Sequence, residues 1–159
     1  QIIVGRNDTR RAWNNRFRKL RGHAAGSLPQ TGEKLICLKN NPDEDLFNGM
    51  ILQASLSHEA GPNQYVLEAE AEGGDRWPAL NVWLGDIDGR EEPFDFRRQR
   101  HLNRFDFAYA ITAHKSQGSE FDNVLVYNEP IGKTSEDCRR WLYTALTRAK
   151  NRVVLVDPS

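Results

Sequence analysis

The sequence predicts an α/β protein whose parallel-sheet core is interrupted by a small β-rich module. Three observations carry this expectation. Gln1-Ile-Ile-Val4 is a short β-branched run ahead of a stretch with helical spacing. The middle of the chain strings short strand-like runs between turns, with no helical period. The last third alternates strand, polar turn, strand, helix and strand.

In order, Gly5-Arg6-Asn7 turns the chain after the first strand, and Asp8 or Thr9 can cap a helix that reaches about Arg21. Trp13, Phe17 and Leu20 fall on one face of it, while Arg10, Arg11, Arg16, Arg18 and Lys19 decorate the remainder as a solvated basic face. His23 to Gly32 is rich in Gly, Ser and Pro and reads as a linker. From Glu33 the texture changes. Lys34 to Leu38, Met50 to Leu56, Gln64 to Glu70 and Leu80 to Leu84 read as short strands, and Asn48-Gly49 as a hairpin signal. Trp77 and Trp83 are expected to pack inside this module. Glu91-Glu-Pro-Phe94 marks a boundary, and Arg97 to Arg104 returns the chain to its α/β part. The expected division is therefore 1–32 with 97–159, and 33–96 as the insertion.

At 159 residues the chain can bury one core with a small inserted module. No apolar run approaches the length of a membrane span. Cys37 and Cys138 match no metal spacing and read as reduced thiols of a cytosolic protein. The formal net charge of zero argues against a simple polybasic binder, yet the charges are segregated. Gln1 to Ala25 carries seven cations against Asp8, whereas Asp43 to Glu92 carries twelve acids against Arg76 and Arg90. The chain starts at Gln1 rather than Met, which suggests a piece of a longer protein.

One phosphate-loop decoy can be set aside. Ile131-Gly-Lys-Thr134 follows a strand, but the position five before Gly132 is Tyr127 rather than glycine. Thr134-Ser-Glu-Asp137 reads instead as a helix start with a capping box. No other phosphate loop and no Walker B aspartate stand out, so this chain alone is expected not to hydrolyse ATP.

Two stretches carry the functional reading. In Ala110-Ile-Thr-Ala-His-Lys-Ser-Gln-Gly-Ser-Glu-Phe-Asp122 a strand ends in a turn dense with polar groups beside a glycine, and Val124 to Tyr127 follows. In Trp141-Leu-Tyr-Thr-Ala-Leu-Thr-Arg-Ala-Lys150 a helix expected over 135–150 leads to the strand Arg152 to Val156. Leu142, Ala145, Leu146 and Ala149 form its core stripe, which leaves Trp141, Thr144 and Arg148 off it. Together these stretches resemble motifs V and VI of superfamily 1 DNA helicases, in particular the C-terminal RecA-like domain of the RecD/Dda-like branch. The pattern of the middle segment, GEKLICLKNN with FNG, resembles the SH3-like module inserted in that domain.

The resemblance implies a partial RecA-like domain with an SH3-like β-barrel insertion. It implies the C-terminal portion of a 5′→3′ ATP-dependent DNA helicase, acting in replication or repair. Arg148 is then the arginine finger, a planar, permanently charged fork suited to a transferring phosphoryl group. Gly118 and Glu120 fall on the nucleotide side, Gln117 offers its amide near the same cleft, and Tyr143 either packs near the nucleotide or fills the helix–sheet interface. Thr112, His114, Lys115 and Ser116 fall towards single-stranded DNA, where hydroxyls, a cation and an imidazole suit phosphates. ATP and Mg²⁺ would be bound mainly by an N-terminal RecA-like domain of the same polypeptide, and no metal site is expected here. The first strand and helix resemble the motif IV region, with Asn7 and Asn14 where that pattern puts polar groups, but neither Arg6 nor Arg10 matches its arginine, which is left unassigned. The alternative is a non-catalytic module, built on the β insertion, that binds nucleic acid or docks a protein.

Overall fold

The computed structural model describes residues 1–87, 94–95 and 97–158. In chain order the elements are β1 (Ile2–Val4), α1 (Asn7–Leu20), β2 (Lys34–Cys37), β3 (Ile51–Gly61), β4 (Gln64–Glu70), β5 (Arg76–Trp83), β6 (Phe105–Phe107), β7 (Ala110–Thr112), β8 (Phe121–Tyr127), α2 (Ser135–Leu146) and β9 (Ala149–Val156). Single 3₁₀ turns cover Pro42–Glu44 and Leu84–Asp86. The chain forms two compact units, one from Gln1–Phe17 with Tyr109–Ser159 and the other from Arg18–Ala108.

The first unit is built on a parallel sheet of order β7-β1-β8-β9. Ile2 stands opposite both Ala110 and Leu125, so β1 lies inside the sheet, and Ile3 and Val4 are fully buried there. Helix α1 does not bury the expected stripe. Leu20 is exposed, and the most deeply buried positions, Arg10, Asn14 and Arg18, recur at i, i+4 and i+8. Asn14 is buried because its amide behaves like a strand: it donates to Ala110 O at 3.2 Å and accepts from Ala110 N–H at 2.7 Å. Trp13 and Phe17 instead form a half-buried aromatic seam with Tyr127 and Tyr109. Neither Asp8 nor Thr9 caps this helix from within. Glu129, just after β8, accepts from Arg6 N–H at 3.0 Å and from the Thr9 hydroxyl at 2.7 Å. A carboxylate there meets unpaired N–H groups and the positive end of the helix dipole.

The second unit is an antiparallel sheet of order β5-β4-β3-β2-β6. Its far edges meet: Val82 of β5 bridges Asn103, just ahead of β6, with Trp83 N–H on Asn103 O and Asn103 N–H on Asn81 O. Strand β4 alternates buried and half-buried residues, and Tyr65, Leu67 and Ala69 face the core with Leu35, Leu52, Leu80 and Phe105. Trp83 is buried as expected, edge-on to Phe94 at 5.2 Å. Trp77 is only half-buried. The Asn48-Gly49 pair closes one corner of the long β2–β3 connection: Gly49 adopts a positive φ of 97°, and Phe47 O accepts from Met50 N–H.

The unit limits differ from the expected division at 32/33 and 96/97. Arg18 belongs with the antiparallel unit because its guanidinium meets Glu33 at two points, 2.9 and 3.1 Å, with both side chains buried. Phe105 to Phe107 belongs there too, because β6 pairs with β2. Of the boundary expected at Glu91-Glu-Pro-Phe94, residues 91–93 lie outside the described residues. Cys37 is buried, its thiol donating to Lys39 O at 3.0 Å, and Cys138 is half-buried.

Candidate functional site

The turn between β7 and β8 is wound tightly by its own hydroxyls. Ser116 N–H bonds to Thr112 O, Ser119 N–H to Ser116 O, and Gly118 takes a φ of 84°, which favours glycine. The Ser116 hydroxyl is fully buried and donates to Ala113 O at 2.7 Å. The Thr112 hydroxyl, also buried, accepts from Lys115 N–H at 3.3 Å. Of the four residues expected to face DNA, Thr112 and Ser116 therefore shape the turn. His114 is exposed and Lys115 half-buried, so these two present its polar surface.

Because the strands run parallel, the turn joins the carboxyl end of β7 to the amino end of β8. His114 and Lys115 follow the carboxyl end of β7, where Ala113 N–H bonds to Val4 O at the end of β1. Gln117, Gly118 and Glu120 run on towards the amino end of β8 and are exposed there. Glu120 lies 3.9 Å from the Lys150 ammonium, an exposed pair of little energetic weight.

Helix α2 ends at Leu146, short of the expected Lys150. Thr147 terminates it: its hydroxyl donates to Tyr143 O at 2.9 Å and its backbone N–H also reaches Tyr143 O. Ala149 already belongs to β9, so the helix buries Ala145 with Leu142 and Leu146 half-covered. Arg148 consequently sits in the tight connection between helix and strand. Its Nε donates to Thr144 O at 3.1 Å, one terminal nitrogen to Ser119 O at 3.3 Å and the other to the Thr147 hydroxyl at 3.1 Å. Its own carbonyl accepts from Phe121 N–H at 2.8 Å. The guanidinium thus bolts the end of α2 to the β7–β8 turn.

Beside this junction is an open cleft of about 780 Å³ lined by Gln117, Glu136, Arg139, Arg140, Tyr143 and Thr144. The Tyr143 ring is largely exposed along it rather than filling the helix–sheet interface. Arg140 pairs with Glu136, and Arg139 bonds to Ser135 O. The structure therefore brings Gln117 and Tyr143 together, with Arg148 on the same stretch of chain. Arg139 and Arg140 escaped the sequence reading; their place one turn ahead of Tyr143 on a helical pattern was the available signal.

The decoy loop is filled by the protein itself. The Asp137 carboxylate accepts from Lys133 N–H, Thr134 N–H and the Thr134 hydroxyl, and Asp137 N–H returns to Thr134 in the expected capping box. These bonds, the Thr134 hydroxyl first, hold the Asp137 carboxyl below the usual carboxylate range. Gly132 has a φ of 154°, and a Cβ there would lie 2.2 Å from Asp137 Cβ. Among the described residues no cluster of three or more His, Cys, Asp or Glu could hold a metal ion. None of their helices is long and apolar enough to cross a membrane.

Comparison with known proteins meets this geometry. Residues 107–156, which hold the turn, α2 and β9, match the UvrD-like helicase C-terminal domain. A stretch of 70 residues is 41% identical to the RecBCD enzyme subunit RecD of Mycobacterium tuberculosis, covering 44% of this chain and 12% of that protein. An uncharacterized protein of Methanocaldococcus jannaschii is 51% identical over 49 residues, 31% of this chain and 4% of the relative. Among solved structures, Bacteroides Pif1 bound to single-stranded DNA superposes with a TM-score of 0.59 at 17% identity, covering 97% of this chain and 39% of that one. Pif1 of Candida albicans gives 0.55 at 14%, covering 99% and 45%. At such identity the likeness concerns the fold, and the chain spans less than half of each of these relatives. Residues 107–156 are similar to the UvrD-like helicase C-terminal domain, a stretch of the chain is similar to RecD, and the fold is similar to that of Pif1.

Proposed function

We propose that this chain supplies Arg148 as the arginine finger of an ATP-dependent, 5′→3′ DNA helicase, together with half of a single-stranded DNA track. The observation that carries the reading is the junction of Arg148 with the β7–β8 turn. A guanidinium resting on Thr144 O, Ser119 O and the Thr147 hydroxyl is already oriented and partly desolvated. An anionic phosphoryl group is a stronger partner for that fork than a neutral carbonyl, so a nucleotide presented from a facing domain would draw it outward. Releasing Ser119 would loosen the turn that also carries His114 and Lys115, linking nucleotide state to the DNA contact.

Gln117 and Tyr143 line the cleft at this junction, and Gly118 and Glu120 follow Gln117 in the same exposed turn. ATP and its Mg²⁺ would be held mainly by an N-terminal RecA-like domain. This chain's own groups then orient the terminal phosphate and stabilise charge on it. Lys115 and His114, at the carboxyl edge of the sheet, meet the DNA backbone without reading bases. The polarity rests on likeness to the RecD/Dda-like branch, as does reading the closed antiparallel sheet as the SH3-like insertion of that branch. A cytoplasmic setting in replication or repair accords with this role.

The test is Arg148→Ala in a protein that includes the ATP-binding domain. DNA-stimulated turnover is expected to fall on the order of 10³-fold, with nucleotide binding by fluorescence titration little changed. Near-normal turnover would reduce Arg148 to a structural bolt.

A further inference from the structure

The antiparallel unit carries a surface that the helicase reading does not use. Asp45, Phe47, Met50, Asp75, Arg76 and Trp77 line a groove of about 450 Å³. A second, of about 350 Å³, shares Arg76 and Trp77 with it and continues past Pro78 and Ala69 to Glu68 and Glu70. The Trp77–Arg76 ridge thus lies between two adjoining hollows. Phe47 is half exposed, and Met50 and Trp77 are partly so.

The first wall is held rigid. Glu44 accepts from the Asn41 and Asn103 side-chain amides at 2.7 and 2.6 Å, and Asn41 and Leu46 exchange backbone bonds. The Trp77 indole N–H donates to Glu44 O at 2.7 Å, which fixes the ring's edge. Asp45 is held at a φ of 52°, unusual for a residue other than glycine.

The charge of the surface excludes one class of ligand. Asp45, Asp75, Glu68 and Glu70 line the two hollows against the single cation Arg76, which itself lies 3.4 Å from Glu70. Phosphates would be repelled, although aromatic rings are present for bases to stack on. Cations beside apolar side chains would be accepted: a stem lies along Trp77 or Phe47 while its charged head meets Asp45 or Asp75. We propose that this double groove docks an extended protein segment in which Arg or Lys alternates with large apolar residues. The proposal stands independently of the role of Arg148.

A random peptide display library selected on the full chain tests it, with Phe47→Ala and Asp45→Asn/Asp75→Asn as paired variants. Asparagine tolerates the backbone angle of Asp45, and Phe47 is exposed enough for alanine to leave the fold intact, as matched melting curves would verify. Enriched peptides are expected to carry Arg or Lys beside Leu, Phe or Trp. Their affinity is expected to fall about tenfold or more with each variant, as for a buried anchor or a desolvated charge pair. Their binding is expected to persist against excess oligothymidylate. Selection of no peptide, selection of acidic peptides, or peptides indifferent to both variants would overturn the proposal. So would oligothymidylate binding that Phe47→Ala abolishes, which would make the groove a nucleic-acid site.

Discussion

Arg148 donates through its guanidinium to Ser119 O at 3.3 Å, while its carbonyl accepts from Phe121 N–H at 2.8 Å. One residue thus grips the β7–β8 turn by side chain and backbone together. Lysine has a single terminal nitrogen and cannot span Ser119 O, Thr144 O and the Thr147 hydroxyl at once. In a protein that includes the ATP-binding domain, Arg148→Lys is expected to stay within about tenfold of Arg148→Ala in turnover. Steady-state ATPase assays of the two variants side by side provide the check.

Lys115 and Ser116 are neighbours with opposite expected behaviour. Removing one phosphate contact flattens the log–log salt dependence of single-strand binding by about 0.7, and Lys115→Ala is expected to do so. Ser116→Ala should leave that slope alone and lower stability by about 1 kcal/mol, because its buried hydroxyl serves Ala113 O. Salt titrations of a labelled oligonucleotide with urea melts of both variants separate these outcomes.

Arg18 is a structural arginine in a basic helix. Besides its two-point contact with Glu33 it donates to Ala24 O, the Ser27 hydroxyl and Leu28 O, and its guanidinium lies 3.9 Å from the Phe107 ring centroid. Arg18→Leu removes the counter-charge of the buried Glu33, which keeps the Gln30 N–H at 2.9 Å, and is expected to cost about 3–5 kcal/mol. The double variant Arg18→Leu/Glu33→Leu is expected to recover part of that loss in urea denaturation.

The Tyr65 hydroxyl is buried and has no hydrogen-bond partner among the described residues. Burial first, and then the charges of Asp86 and Asp106, push its ionisation far above the ordinary phenol range. Tyr65→Phe removes an unsatisfied group without changing shape. It is expected to leave stability unchanged or to raise it by up to about 1 kcal/mol. A drop in the melting temperature would reveal a partner for that hydroxyl.

Asp137 sets a pH dependence. Its carboxyl is held below its ordinary value, so its stabilising bonds to Thr134 and Lys133 are fully present above the unfolded carboxylate pKa of about 3.9. They are lost as pH falls through the lower folded value. The gap in melting temperature between the wild type and Asp137→Asn is therefore expected to be widest near neutrality and to close on strong acidification. Thr134→Ala, which removes the other half of the box, is expected to cost about 1 kcal/mol at neutral pH.

Local patterns alone determined much of this protein. The β-branched runs of β1 and β8, the capping box at Thr134 and Asp137, the misleading glycine at Gly132 and the residues of the β7–β8 turn were all legible, because each depends on neighbours within a few positions. The tertiary structure decided what depends on distant partners. Arg10, Asn14 and Arg18 are buried instead of the expected apolar stripe because Asn14 finds the backbone of Ala110, and Arg18 finds Glu33. Helix periodicity registers spacing but not the acceptors waiting across the fold. Phe105 to Phe107 pairs with β2 rather than joining the parallel strands, a choice made by edge availability that no strand pattern encodes. Thr112 and Ser116 were legible as polar, but their hydroxyls turn inward to hold the loop, which leaves His114 and Lys115 to face outward. Side-chain chemistry names the groups available at a turn; only its winding decides which of them reach solvent.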